Sequence, residues 1–341
     1  MYILGPCSAE SREQVLLTAR QLKEACGDTP FIYRAGAWKP RTSPDSFQGA
    51  GTDALEWLAE VKATLGIPVA TEVATPEHVS AALKAGMDYL WIGARSSATP
   101  IVVQSLADSI LDFKLKFENL KLKGILIKNP VNADAALWLG NIERLEKTGF
   151  PVIAVHRGCN HQPYWAMAHQ VRLARPDIPM LLDPSHMSGN AEKIPALLDK
   201  VSELGLNGAM IEVHCYPEKA LSDNAQQITP SQLLDYPFSI LSRMCLASLI
   251  STNDSQEELN WLRAEIDELD DRLWTTLAER MNVSERIGEW KKAHGIAPLQ
   301  PERYQQILDR RKAWATANGM DAAFIEQLFT AIHAESLKRQ E

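Results

Sequence analysis

The sequence predicts an α/β protein, a (β/α)8 TIM barrel followed by a small all-α unit of three helices. Across residues 2–248, eight short apolar runs alternate with amphipathic stretches. That is the rhythm of parallel strands with helical crossovers, and a count of eight points to a closed barrel. No GxGxxG turn follows the first run, which sets aside a doubly wound nucleotide-binding sheet. From Glu257 onward the strand signals stop and apolar residues recur at threes and fours, the helical period.

The predicted strands are Tyr2–Leu4, Phe31–Arg34, Pro68–Val73, Tyr89–Ile92, Gly124–Ile127, Pro151–Val155, Met180–Leu182 and Ala209–Val213. Helical patterns such as Ser11–Cys26 and Thr52–Leu65 lie between them and stop at Gly27 and Gly66, the residue best suited to end a helix. Ser251-Thr252-Asn253-Asp254-Ser255 reads as a linker. The expected organisation is thus a barrel over 1–248, a linker over 249–256 and a helical domain over 257–341. Its first helix runs to about His294 through Leu259, Leu262, Ile266, Leu269, Leu273, Leu277 and Met281. A second starts at Glu302 and a third spans about Ala322 to Lys338. Three helices of this size bury little alone, so a homodimer through this domain is expected.

Composition narrows the function. The 341 residues carry a formal charge of −8, which argues against nucleic acid or an anionic membrane as partner. No apolar run approaches the ~18 residues of a membrane span, and no signal-peptide pattern opens the chain. Five cysteines in a chain this long make no disulfide framework, so a reducing, cytoplasmic setting is expected. Cys26, Cys159, Cys215 and Cys245 read as packing residues, and His78 and His169 as helix residues without a role.

The chemistry lies at the tips of the strands. They read Gly5-Pro6-Cys7-Ser8, Arg34 with Lys39 and Arg41, Glu72, Gly93-Ala94-Arg95, Lys128, His156-Arg157-Gly158, Asp183-Pro184-Ser185-His186, and Glu212 with His214, followed by Asp223. In a barrel these tips meet at one face. Lys39-Pro40-Arg41-Thr42-Ser43 packs two cations and two hydroxyls into five residues, a set suited to phosphate. A solvated basic turn is the alternative for that stretch taken singly. Several cations at successive tips point to substrates with several negative charges. Cys7, His186, Glu212 and Asp223 offer a thiolate, an imidazole and two carboxylates, donors for Mn²⁺, Fe²⁺, Co²⁺ or Zn²⁺. A Cys7/His186 nucleophile pair and an inert buried cysteine are the competing readings.

These motifs, with Glu212-Val213-His214 through Leu221-Ser222-Asp223, resemble those of the 3-deoxy-D-arabino-heptulosonate 7-phosphate (DAHP) synthases, in order across residues 2–248. The resemblance implies a metal-dependent barrel that condenses phosphoenolpyruvate with erythrose 4-phosphate. It assigns Cys7, His186, Glu212 and Asp223 to the metal. Arg34, Lys39, Arg95, Lys128 and Arg157 match the phosphoenolpyruvate positions, and Arg41 and Thr42 those for erythrose phosphate. The sister octulosonate 8-phosphate synthases carry Ala-Asn in place of Pro40-Arg41, so these residues favour the four-carbon sugar over arabinose 5-phosphate. Lys39 is expected to give a proton to the new hydroxyl, its pKa lowered by the arginines around it.

In the helical part, Arg280 and Lys291 stand three turns apart on one face, and Ser336 and Gln340 share a face of the third helix. A solvated charged helix is the plain alternative. Leu262-Arg263-Ala264-Glu265-Ile266-Asp267, Ala278-Glu279-Arg280, Gly288 with Lys291, and Pro301-Glu302-Arg303 resemble the all-helical chorismate mutases across 257–340. The resemblance implies a site lined by Arg263 of a second chain with Arg280, Lys291, Arg303, Ser336 and Gln340. Arginines would grip the two carboxylates of chorismate, while Lys291 and Gln340 would meet its breaking ether bond. Gln300 and Tyr304 depart from the commoner aspartate and glutamate, which meet the substrate's hydroxyl end. The expectation is a bifunctional enzyme of aromatic amino-acid biosynthesis. With no room for a regulatory domain before Tyr2, the helical unit is also expected to sense prephenate and inhibit the synthase. A catalytically idle helical regulator, or a barrel using a different phosphosugar, is the alternative.

Overall fold

The computed structural model describes residues 1–39, 45–117, 120–235 and 254–340. Pro40, Arg41, Thr42, Cys245 and residues 249–253 of the expected linker lie outside them. The chain forms two compact units, Met1–Glu265 and Ile266–Glu341.

In the first unit, β1 (Tyr2–Gly5), β2 (Ile32–Arg34), β3 (Val69–Val73), β4 (Tyr89–Ile92), β5 (Gly124–Lys128), β6 (Val152–His156), β7 (Met180–Leu182) and β8 (Gly208–Glu212) close in sequence order into a parallel barrel. All eight predicted runs are strands. Each is buried on both faces, which is why it reads as a continuous apolar run rather than an alternating one. Ile3, Ile32, Ala70, Trp91, Leu126, Ile153, Leu181 and Met210 fill the interior. The helices α1 (Arg12–Cys26), α2 (Thr52–Leu65), α3 (Pro76–Lys84), α4 (Ala94–Ser97), α5 (Pro100–Lys116), α6 (Ala135–Glu146), α7 (Trp165–Ala174), α8 (Pro184–Ser188), α9 (Ile194–Glu203) and α10 (Gln232–Asp235) follow their strands. Ser11 caps α1 by accepting from the Gln14 amide at 3.1 Å, and Thr75 caps α3 through the His78 amide at 3.3 Å; each answers an amide that the helix leaves unpaired. No described helix is long and apolar enough to cross a membrane.

After β8 the chain doubles back. His214 donates its amide to the Ile228 carbonyl at 2.9 Å, and Ile228 donates to Glu212 at 3.0 Å. This clasp folds residues 214–228 over the mouth and brings Asp223 and Gln226 to it.

The helix α11 (Asp254–Ala293) begins within the first unit. Trp261 is 1% exposed. Its indole stacks on the His169 imidazole at 5.4 Å and meets Trp165 edge-on at 6.1 Å. His169 Nδ1 lies 2.6 Å from Glu265 Oε1, Arg172 bonds Glu257 at 3.2 Å, and Asn260 donates to the Glu203 carbonyl at 2.9 Å. His169 therefore has a structural part that its helix pattern did not reveal. His78 likewise stacks on Trp38 at 3.9 Å.

The second unit holds the rest of α11 with α12 (Pro301–Ala317) and α13 (Ala322–Gln340). Gly288 of α11 sits where a Cβ would come 2.5 Å from the Gln340 Cα. Only glycine permits that approach of α11 to α13.

Candidate active sites

At the barrel mouth, the register pairs Gly5 with Glu212, so the β1 tip with Cys7 lies beside the end of β8. Cys7 Sγ stands 2.9 Å from Asp223 Oδ2, and donor atoms of Cys7, Glu212 and Asp223 all fall within 4.8 Å of one another. His186 Nε2 adds itself at 3.5 Å from Glu212 Oε1. Three of the four candidate donors thus form one cluster, and His186 joins it through Glu212.

Their surroundings suit a cation. Burial, then the Glu212 and Asp223 charges, push the Cys7 thiol far up, against the lesser pull of Lys39. A thiol so placed is a poor free nucleophile and gives up its proton only to a strong local positive charge. Its partner is Asp223, which argues against a Cys7/His186 nucleophile pair. Burial lowers the His186 pKa in spite of its carboxylate neighbours, which keeps the imidazole neutral and able to ligate. Asp183 lies 2.9 Å from His186 Nδ1. His186 and Lys128 hold Asp183 well below the usual carboxylate range although burial opposes it. An ionised carboxylate only accepts, so Nδ1 carries the proton and Nε2 is left free toward Glu212. Burial opposes the Glu212 charge too, but the positive charges it faces, that of His186 when protonated and those of Arg34 and Lys39, lower its pKa. The donor set therefore fits a divalent metal.

Cations surround this cluster. Lys39, Arg95, Lys128 and Arg157 line one pocket of about 310 Å³ with Glu72, His186, Asp223 and Gln226. Lys128 reaches Asp183 at 2.7 Å. Arg34 is fully buried over the Trp91 ring at 4.7 Å and bonds Glu212 at 3.1 Å. Two of its guanidinium nitrogens, Nε and Nη1, have no partner. The lowered pKa expected of Lys39 is corrected. Burial does disfavour its ammonium, but Cys7, Glu72 and Glu212 outweigh burial and raise the pKa. Arg41 and Thr42 lie outside the described residues. Sequence reading missed Gln226, which donates to Glu212 Oε2 at 2.7 Å, and the orienting part of Asp183. The latter was legible as an aspartate three residues before His186 at a helix start.

In the second unit, Arg280 donates to Ser336 Oγ, and Lys291 Nζ donates to Gln340 Oε1 at 3.1 Å. The pairs predicted for two helices thus face each other. Burial, then Arg311, lower the Arg280 pKa, and Arg311 is a neighbour the sequence did not single out. Arg303 is exposed on α12, and Arg263 is exposed in the first unit.

Comparison with known proteins agrees with this geometry. Residues 1–240 match the DAHP synthetase I family and residues 262–341 match chorismate mutase type II. A phospho-2-dehydro-3-deoxyheptonate aldolase of Thermotoga maritima is 31% identical over 232 residues, 66% of this chain and 64% of that protein. This chain thus spans less than two thirds of that relative. A 2-dehydro-3-deoxyphosphooctonate aldolase of Bordetella pertussis is 28% identical over 260 residues, 70% of this chain and 88% of that one. The crystal structure of the Thermotoga maritima DAHP synthase superposes with a TM-score of 0.60 at 27% identity, over 73% of this chain and 70% of that chain. The chain belongs to the DAHP synthetase I family, and it carries a chorismate mutase domain of type II at its C-terminal end.

Proposed function

We propose that the barrel condenses phosphoenolpyruvate with erythrose 4-phosphate to 3-deoxy-D-arabino-heptulosonate 7-phosphate, and that the helical unit rearranges chorismate to prephenate. The observation that carries the first half is one mouth shared by a thiol–imidazole–carboxylate cluster and four pocket-lining cations. Cys7, His186, Glu212 and Asp223 would hold Mn²⁺, Fe²⁺, Co²⁺ or Zn²⁺, which when bound supplies Lewis acidity for an aldehyde carbonyl. Arg34, Lys39, Arg95, Lys128 and Arg157 hold the phosphate and carboxylate of phosphoenolpyruvate. Its weak enol carbon nucleophile is thereby kept against the aldehyde, and the rate gain is one of proximity. The unpartnered nitrogens of Arg34 favour an anionic ligand beside Glu212. Water adds at the second enol carbon, phosphate leaves, and Lys39, held charged, is the proton donor to the new hydroxyl. Arg41 and Thr42 take the sugar phosphate.

The named relatives act on sugars of two lengths, so acceptor choice is the direct test. The ratio of kcat/KM for erythrose 4-phosphate over arabinose 5-phosphate should exceed one by a wide margin. A preference for the five-carbon sugar rejects the assignment and takes Pro40-Arg41 out of the argument.

In the helical unit, the facing pairs Arg280–Ser336 and Lys291–Gln340 support chorismate mutase catalysis by preorganised charge. Arg303 and a second chain's Arg263 complete the grip on the carboxylates. Leu262, Ile266, Leu269 and Leu273 are each about half exposed along α11, a stripe that a homodimer would cover. By function the division falls at 249–256, between a barrel of 1–248 and a mutase of 257–341. Both reactions belong to one cytoplasmic pathway, with no nucleic acid or membrane as partner. Prephenate held by the helical unit inhibits condensation. The synthase rate against prephenate should fall in the full chain and stay flat in Arg280→Ala; equal inhibition of both rejects the sensor.

A further inference from the structure

One face of α13 carries more chemistry than the mutase assignment uses. His333, Ser336 and Gln340 stand at i, i+3 and i+7, so they point the same way. Ser336 and Gln340 answer Arg280 and Lys291. His333, one turn earlier, is left over. Its Nε2 is buried and has no hydrogen-bond partner. A buried polar nitrogen is costly to leave unpaired, and native proteins seldom do so without a use. The ring packs in a cluster of three with Tyr304 at 4.5 Å and Phe329 at 6.1 Å, which lie 5.6 Å from each other. Burial, then Arg280 and Lys291, lower its pKa. At neutral pH it is therefore an uncharged imidazole, able to donate or accept one hydrogen bond.

Chorismate offers two carboxylates, an ether oxygen and one ring hydroxyl. The arginines with Ser336 suit the carboxylates, and Lys291 with Gln340 suits the ether oxygen. The hydroxyl has no partner in that set. Tyr304 has its own hydroxyl 3.0 Å from Thr330 Oγ1 and its ring laid against His333. We propose that His333 Nε2 is the hydrogen-bond partner of the substrate's ring hydroxyl, with Tyr304 and Thr330 as positioning residues that fix the imidazole. A neutral ring makes this contact without placing a negative charge beside Arg280 and Lys291.

This rests on the mutase reading, and the test separates the two. The full-length protein is assayed with chorismate and with an analogue whose ring hydroxyl is replaced by hydrogen. Wild type should turn over chorismate faster than the analogue. His333→Phe, which keeps a flat ring against Tyr304 and Phe329, should lose about tenfold or more in kcat/KM for chorismate, the scale of one good hydrogen bond. It should lose little for the analogue, so the preference collapses toward one. His333→Gln should recover most of the chorismate rate. An equal loss on both substrates makes His333 a packing residue and overturns the proposal. So does a wild type that does not discriminate between them, a measurement that needs no variant to fold. A wild type that leaves chorismate unchanged overturns the mutase reading itself, and the proposal with it.

Discussion

Arg34 at the barrel mouth is wholly buried and answered by the Glu212 carboxylate, whereas Arg280 in the helical unit is partly exposed and answered by a neutral serine. The barrel gathers its charges from separate strand ends of one chain and balances them internally. Lys128 has Asp183, Arg34 has Glu212, and Lys39 has Cys7, Glu72 and Glu212 around it. The helical unit leaves an apolar stripe of α11 half exposed. A closed sheet can complete a site alone, because its own backbone fixes all eight tips. Three helices have too little interior for that, which is the ground on which a second copy is proposed.

The sharpest way to break this contrast is at the buried cluster. Cys7→Ala should lower the condensation rate by several kcal/mol, roughly 10³-fold, if its thiolate completes a Lewis-acid site. Chelation of the wild type should do the same, reversed by Mn²⁺ or Co²⁺. A metal-free protein at full rate would leave the cluster a structural feature. Trp261→Ala tests whether α11 belongs to the packed core of the first unit. Removing so large a buried ring should cost about 3–5 kcal/mol of stability, read by denaturant unfolding followed through condensation activity. A midpoint close to wild type would mean that this part of the helix is held by its ion pairs instead.

Arg280→Ala should forfeit at least about 3 kcal/mol of transition-state stabilisation in chorismate turnover, as loss of a partly buried charged contact commonly does. Unchanged turnover would move mutase catalysis elsewhere. The smallest effect is expected at Gly288→Ala, which presses a methyl on the Gln340 backbone. Overpacking of this kind costs about 1–3 kcal/mol, so the melting point of the second unit should fall and chorismate turnover with it. A stable, fully active variant would show that the two helices separate without consequence.

The strands were legible because a strand buried on both faces has to be a continuous apolar run, and because each run ends on a charged or small tip. The candidate donors Cys7, His186, Glu212 and Asp223 and the pocket cations were named by resemblance at those tips. Gln226 was not, since a glutamine in a returning loop carries no periodic signal. The Lys39 pKa was misread because arginines are visible in the local sequence, while Glu72 and Glu212 arrive from other strands. Trp261 reads as one more apolar position of the helix, and nothing local says which surface it meets. His333 escaped because its significance is an unpaired nitrogen, which only the packing of α11, α12 and α13 exposes.

The docking of Trp261 changes what counts as a transplantable part of this chain. The family matches stop at residue 240 and resume at 262, so a graft designed from them would discard Trp261 as a spacer. The barrel left behind would present Trp165 and His169 to water, an aromatic scar prone to aggregate. A donor mutase joined in its place would have to bring an equivalent tryptophan. The opening turns of α11 therefore act as a keel that travels with the barrel, and recombination between such enzymes is expected to conserve the join as a unit rather than the two ends it connects.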